Sequence, residues 1–456
     1  MTGKRYHFIG IGGIGMSGIA HLMLRQGVEV SGSDAKLSAA TSELETLGAK
    51  VFAGHNAGNI KGATTVVYSS AIKDDNPEMI EAHRLGIPVI KRAQALALLM
   101  KDKVVIAVTG SHGKTTTTSL AAYLLLESGF MPTVAVGGIL KNIDTNACFG
   151  NGRFFVAEAD ESDGSFLYYD PAYSIITNID REHLDYYKDF GNELRAFGEF
   201  IAKTKPEGCV FCCSDDANIM ELLRAHKGRR VLFGLNDGAD IYPKNIELKE
   251  LSSSFDCYSK GKFIDRFDLA LGGKHNISNA LSVIALALEL GIETPLIRKA
   301  LSGYKGAKRR LEIKFNGNNI MLIDDYAHHP TEIKATLDAV AGIGNRRVIA
   351  VFQPHRYSRT QNLLQEFASS FDKADQLIIT DIYAASEPPI EGVSAELLYK
   401  KIKERSPDKD AIYLPKDKII GHILNTVKPQ DLVITLGAGD IVKVCDELAE
   451  ELKKQG

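Results

Sequence analysis

The sequence predicts an α/β protein of three successive domains, residues 1–103, 104–305 and 306–456, each built on a largely parallel sheet with crossover helices. Three observations predict it. Short runs of buried-strand residues alternate with stretches of helical spacing along the whole chain. Two glycine-rich loops, "HFIGIGGIGMSG" at 7–18 and "VVIAVTGSHGKTTTTSL" at 104–120, each leave such a run and open a helix. A length of 456 residues suits two to four domains of usual size.

In the first domain, "RYHFIG", "VEVSGS", "AKVFAG", "TTVVYSS" and "IPVIKR" read as strands, and "MSGIAHLMLRQG" has helical spacing. In the second, the strands are "VVIAVTG", "FFVAEAD", "YSIITNI", "GCVFCC" and "RRVLFG". There "LALGGKHNISNALSVIALALELG" runs from a loop into a long apolar helix. The small and basic residues of "SGYKGAKRRLE" mark a junction. Beyond it, "NIMLIDDYA", "RRVIAVFQP", "QLIITDI", "AIYLP" and "DLVITLGAG" are the strands of a third α/β block.

Composition narrows the function classes. A net charge of −3 argues against general affinity for nucleic acid. No apolar run reaches the ~20 residues of a membrane span, and no cleavable leader is visible, so a cytoplasmic protein that binds no membrane is expected. Of six cysteines only "CVFCC" is clustered. Its C-x-x-C lacks a second pair at zinc spacing and reads as part of a buried strand.

Gly10, Gly12 and Gly15 fit G-x-G-x-x-G between a strand and a helix, and Asp34 closes the next strand. Glycines admit a close backbone approach, and the helix N-terminus offers free N–H groups to a diphosphate. An acidic residue about 20 positions downstream suits ribose hydroxyls. The pattern makes the first domain Rossmann-like, without separating NAD from another nucleoside diphosphate.

The second loop is a shortened Walker pattern. Gly113, Lys114 and Thr115 fit G-K-[ST], but the leading glycine is Gly110. Backbone N–H groups of Gly110, Ser111, His112, Gly113, Lys114, Thr115 and Thr116 can wrap phosphates. Lys114 can reach the β and γ groups, and the Thr115 hydroxyl can bind Mg²⁺. "VAEADESDGSF" ends one strand with Glu158, Asp160, Glu161 and Asp163, and "TNIDREHLDYY" ends the next with Asp180, Glu182, His183 and Asp185. Ligands gather at the carboxyl ends of strands in open α/β sheets, so both clusters face the loop. The combination predicts a P-loop-type ATPase domain with metal-assisted phosphoryl transfer.

These motifs, with "SSAI", "GKHNISNALS", "KRRLE", "DDYAHHPTEI", "FQPHRYSRT" and "GAGDI" in order, resemble the Mur ligases along essentially the whole chain. Those are ATP-dependent amide-forming enzymes of peptidoglycan synthesis. The resemblance implies that the first domain binds UDP of a sugar nucleotide. Gly10, Gly12, Gly13 and Gly15 would face its diphosphate, with Asp34, His55 and Ser70 near ribose or uracil. It implies ATP in the middle domain, Mg²⁺ on Thr115, Glu158 and His183, and adenine near His275 and Asn279.

It further implies a C-terminal Rossmann-like domain that closes over an amino acid, with Tyr326, His328, His329, His355, Arg356 and Arg359 near that substrate. Arginine forks suit its carboxylate, and a histidine could take the proton of its amine. "HHP" lacks the i, i+4 spacing of a helical zinc pair. Arg309 and Arg310 at the junction would meet the γ-phosphate or an acyl phosphate. The implied substrates are UDP-N-acetylmuramate and L-alanine, the implied state a monomer or weak homodimer. The alternative is addition of a whole tripeptide to the same sugar, against which Tyr326 and the "PHRYSRT" run weigh.

Overall fold

The computed structural model describes residues 3–69, 71–385 and 387–454, without the side chain of Asp185. The chain divides into two compact units. One comprises Met1–Asn245, Phe255–Phe267 and Ser278–Lys305; the other comprises Ile246–Ser254, Asp268–Ile277 and Gly306–Gly456.

The first unit holds one whole sheet and most of a second, larger one, of which parts of the last three strands fall in the second unit. The N-terminal one has strands β1 (Arg5–Ile9), β2 (Glu29–Asp34), β3 (Lys50–Ala53), β4 (Thr65–Tyr68) and β5 (Val89–Lys91), in the order β3-β2-β1-β4-β5. Every neighbouring pair is parallel. All five strands were legible as apolar runs. Ile9 pairs with Ser33, which sets Gly10 and Asp34 side by side where β1 and β2 end.

The larger sheet has β6 (Val104–Thr109), β7 (Thr133–Leu140), β8 (Thr145–Cys148), β9 (Phe154–Glu158), β10 (Tyr173–Ile176), β11 (Cys209–Cys213), β12 (Arg230–Phe233), β13 (Ile241–Lys249), β14 (Ser252–Ser259) and β15 (Lys262–Leu269). Its order is β15-β14-β13-β12-β11-β10-β6-β9-β7-β8. β6 lies between β9 and β10, parallel to both. The phosphate-type loop therefore leaves a central strand flanked by the two acid-bearing strand ends. The helix Lys114–Glu127 that follows is buried over most of its length. Phe166 stacks on Phe200 at 5.0 Å and meets Phe197 edge-on at 5.4 Å, which pins the acidic loop after β9 to the helix Phe190–Ala202. The cysteines of "CVFCC" fill β11 and are buried. Five strands here, β7, β8, β13, β14 and β15, were not foreseen.

The second unit carries β16 (Glu312–Gly317), β17 (Ile320–Asp325), β18 (Arg347–Phe352), β19 (Gln376–Ile379), β20 (Asp410–Tyr413) and β21 (Asp431–Leu436), in the order β16-β17-β21-β18-β19-β20. β16 is antiparallel to β17 and the other pairs are parallel. Alternate residues feed two cores. Ile323, Ala350, Phe352 and Ile434 pack on one face, and Leu322, Ile349, Val351 and Val433 on the other. Two-sided burial is why these strands read as continuous apolar runs. Among the described residues no helix is long and apolar enough to cross a membrane.

Candidate active site

The first loop turns at Gly10, whose φ of +79° lies in the left-handed region that favours glycine. The Gly12 N–H donates to Asp34 Oδ2 at 2.8 Å, and the Lys36 N–H donates to Oδ1 at 3.1 Å. Loop and acid are thus brought together. Gly13 caps the helix Ile14–Arg25, and Gly15 lies in its first turn.

His55 Nδ1 lies 2.9 Å from Ser33 Oγ, and that hydroxyl donates to Glu78 Oε2 at 2.6 Å. Asn59 Nδ2 donates to Glu78 Oε1 at 2.6 Å. Burial alone would raise the Glu78 carboxyl, but hydrogen bonds from His7, Ser33 and Asn59 bring it down to about 2. Ser70 lies outside the described residues. Glu78 went unnoticed in the sequence because an acid in the first turn of a Pro-initiated helix has an ordinary reading.

At the second loop, Gly110 has φ +131° and Gly113 has φ +82°. A Cβ on Gly110 would meet the Thr177 hydroxyl and lie 2.9 Å from the Asn178 carbonyl oxygen. A Cβ on Gly113 would lie 2.6 Å from Asn279 Oδ1, so Asn279 reaches this loop. The Ser111 hydroxyl accepts from the Asp180 N–H at 2.8 Å, the His112 N–H donates to Asn178 Oδ1 at 2.8 Å, and the His112 ring meets Asp180 at 3.1 Å. Thr116 is buried in the first turn of the helix.

Lys114 Nζ donates to the Gly110 and Ser111 carbonyls at 2.6 and 3.0 Å and to Glu161 Oε1 at 2.7 Å. Burial works against its charge, but Glu161, Asp160 and Glu182 hold its pKa above the usual lysine range. The Thr115 hydroxyl lies 3.0 Å from both Glu158 oxygens, and the Gly137 N–H donates to Glu158 at 2.8 Å. Burial pushes the Glu158 carboxyl up.

His183 turns instead to Glu182 at 3.2 Å and Glu161 at 3.5 Å. Burial opposes its protonation, yet those carboxylates raise it to about 9. The donor atoms of Glu161, Glu182 and His183 lie within 4.8 Å of one another. Glu161 Oε2 is buried without a hydrogen-bond partner. A buried carboxylate pair with one orphaned oxygen suits a hard cation. Of the three expected metal ligands, the structure pairs Thr115 with Glu158 and sets His183 with the neighbouring acids.

One further residue ties the two loops of this unit together. Arg92 Nη2 lies 3.3 Å from Asp160 Oδ2, and its Cδ lies 3.2 Å from where a Gly15 Cβ would be. A cleft is lined by Gly15, Gly18, Arg92, Gly137, Glu158, Asp160 and Tyr169.

In the second unit the remaining candidates gather where β17 and β18 end. His328 Nδ1 lies 3.1 Å from the Tyr326 carbonyl and 3.2 Å from Glu332 Oε2. The rings of His328 and His355 meet edge-on at 5.5 Å, and His355 stacks on Tyr383 at 5.6 Å. Arg359 Nη1 donates to His355 Nδ1 at 3.1 Å. That bond places the ring proton on Nε2 and keeps the imidazole neutral. Burial, and after it His328, Arg359 and Arg356, depress His355 to about 3. Arg356, with φ +69°, lies 3.8 Å from Glu387. His329 instead caps the helix Pro330–Ala341.

Arg310 lies over the Tyr326 ring and 3.7 Å from Glu332. Its neighbour Arg309 lies over the same ring. Arg309 donates to buried Asp324 at 3.0 Å and to the Gly437 carbonyl at 2.7 Å, which is a brace between strand ends. His275 also belongs to this unit, where its side chain is exposed. His275 and Asn279 occupy one face of the helix Lys274–Glu289, one turn apart.

Comparison with known proteins agrees along the full length. Family models match in order: "Mur ligase family, catalytic domain" over residues 5–104, "Mur ligase middle domain" over 108–287, and "Mur ligase, glutamate ligase domain" over 309–439. A UDP-N-acetylmuramate–L-alanine ligase of Geotalea uraniireducens (strain Rf4) is 47% identical over 456 residues, covering 99% of each chain. The solved UDP-N-acetylmuramate-alanine ligase MurC of Thermotoga maritima has a TM-score of 0.85 at 30% identity, covering 99% of this chain and 100% of that one. A murein peptide ligase from Psychrobacter arcticus 273-4 shares the fold, with a TM-score of 0.72 at 24% identity over 99% of this chain and 98% of that one. With three family domains in sequence order and a near-half-identical relative from end to end, this chain belongs to the Mur ligase family.

Proposed function

We propose that the chain joins L-alanine to the lactyl carboxylate of UDP-N-acetylmuramate, using ATP and releasing ADP and phosphate. The carrying observation is the single cleft bounded by the glycine-loop helix at Gly15 and by the acids at Glu158 and Asp160. A sugar nucleotide seated on the first loop can extend its carboxylate through that cleft toward a nucleotide on the second. On this reading residues 1–103 bind the UDP-sugar, 104–305 bind ATP, and 306–456 bind the amino acid.

The chemistry follows from charge. A carboxylate is a poor electrophile because its oxygen leaves badly, so the γ-phosphoryl group of ATP first converts it to an acyl phosphate. Lys114 neutralises charge on the transferring group. Mg²⁺ would be held by Thr115, Glu158 and His183 and would supply further neutralisation of the phosphates. His183 would shed its proton to bind it.

Arg356 and Arg359 supply guanidinium forks for the alanine carboxylate. Hydrogen bonding of His328 Nδ1–H to Tyr326 and Glu332 makes Nε2 its proton-accepting nitrogen, so His328 takes the proton of the attacking amine. Arg310 offsets the tetrahedral oxyanion before phosphate departs.

The test is ADP release with UDP-N-acetylmuramate and ATP across twenty amino acids and the recycling tripeptide. L-Alanine should be the best acceptor, with glycine lower by about tenfold or more for the missing methyl. Preference for the tripeptide would transfer the chain to the recycling branch, and amino-acid-independent ADP release would remove the ligase assignment.

A further inference from the structure

We propose that Arg92 is a diphosphate-binding residue for the sugar nucleotide and that Asp160 competes with that diphosphate for its guanidinium. This deepens the reading above and rests on it. Arg92 opens the helix Arg92–Met100, whose start is fixed by the Lys91 N–H donating to Gln94 Oε1 at 2.8 Å. A cation in the first turn of a helix opposes the helix dipole, so propensity does not account for it.

The position of the side chain supplies the reason. Its guanidinium carbon lies 3.3 Å from where a Gly15 Cβ would be, against the first turn of the helix that follows the first loop. Only glycine leaves that space for an arginine. The N–H groups of that turn and the guanidinium together form a donor set for an anion at the helix start.

Among the described residues lining the cleft, Arg92 is the only cation, and the lining also carries Glu158 and Asp160. An anionic substrate entering between two carboxylates needs a positive charge there. The Arg92–Asp160 pair is partly open to solvent, with side-chain exposures of 36% and 39%. A pair so exposed is worth little as a structural brace, and a phosphate oxygen can replace the carboxylate at small cost. The exchange conserves the charge on Arg92 and forms no covalent bond. It leaves Asp160, near Lys114, with one positive neighbour fewer.

Titration calorimetry of UDP and of UDP-N-acetylmuramate into the full-length protein, without ATP, tests this in the wild type, R92Q, R92K and D160N. R92Q should lose about tenfold or more in affinity for both, with R92K intermediate because it keeps charge but loses the fork. D160N should bind both as well as the wild type or more tightly, because the competing anion is gone. The wild-type affinity should also fall more steeply with salt than that of R92Q.

ATP affinity in R92Q should stay within about twofold of wild type, which excludes a misfolded variant. Equal affinity of R92Q and wild type, or equal weakening in R92Q and D160N, overturns the role of Arg92 while leaving the function standing. Failure of the wild-type protein to bind either ligand overturns the sugar-nucleotide reading itself, and this proposal with it.

Discussion

Lys114 carries its positive charge in a pocket that both punishes and requires it. Two loop carbonyls and Glu161 take its three protons, and Asp160 and Glu182 add their fields. Lys114→Ala should cut turnover by about a hundredfold or more, the typical loss when a preorganised charge facing the transition state is removed. The same change strands buried Glu161, so the melting temperature should also fall. UDP-N-acetylmuramate affinity, measured in parallel, should persist because the first loop is untouched. Near-normal turnover in a folded variant would refute the assignment of the second loop.

Titration of the second unit follows from the same kind of reasoning with the opposite sign. Burial holds His355 near 3, whereas an unfolded histidine titrates near 6.5. Between those values the unfolded chain binds protons that the native chain refuses. Stability is therefore full above about pH 6.5 and falls as the pH drops toward about 3. Urea midpoints taken between pH 7.5 and 5 should show this decline, and His355→Asn should flatten it. A midpoint independent of pH across that range counts against a neutral His355.

At the scale of single elements, the second loop is a tightly constrained turn of the first unit. Gly110→Ala must place a methyl against Thr177 and the Asn178 backbone at a φ of +131°. Strain of this kind costs about 1–3 kcal/mol, so ATP affinity should drop by roughly tenfold to a hundredfold while the N-terminal sheet still binds UDP. Unchanged ATP affinity would mean that the turn can relax without cost.

The same elements explain what the sequence disclosed. Strands buried on both faces, such as β6, β9, β18 and β21, are unbroken apolar runs and were read directly. The missed strands carry the opposite signature. "TVAVGGIL" is interrupted by glycines, "IYPKNIELK" holds a proline and three charged residues, and "SSSFDCYS" is mostly polar. These segments are largely fixed by tertiary pairing, which local pattern does not report. The loops were legible because backbone geometry restricts their residue types. Arg92, Glu78 and Tyr383 were not, since their roles depend on partners about 23 to 77 positions away: Asp160, Gly15, Ser33, His55 and His355.

Across the whole molecule, the proposed function divides the reactants between the two units. Both glycine loops, the acidic strand ends and the cleft belong to one unit. The histidine–arginine cluster at the ends of β17 and β18 belongs to the other. If that second cluster serves only the incoming amine, a change there should spare nucleotide binding. Arg359→Ala should raise the KM for L-alanine by about tenfold or more, while dissociation constants for ATP and UDP-N-acetylmuramate stay within about twofold. Arg359→Lys should recover only part of the loss, because an ammonium cannot form a two-bond fork with a carboxylate. Loss of the Arg359 bond to His355 Nδ1 also removes a positive neighbour, so His355 should protonate at a higher pH in the alanine variant, as its ring NMR signals would show. Steady-state kinetics with each substrate varied in turn separate these outcomes. A rise confined to the KM for the sugar nucleotide would place Arg359 with the other reactant and break the division of labour between the units.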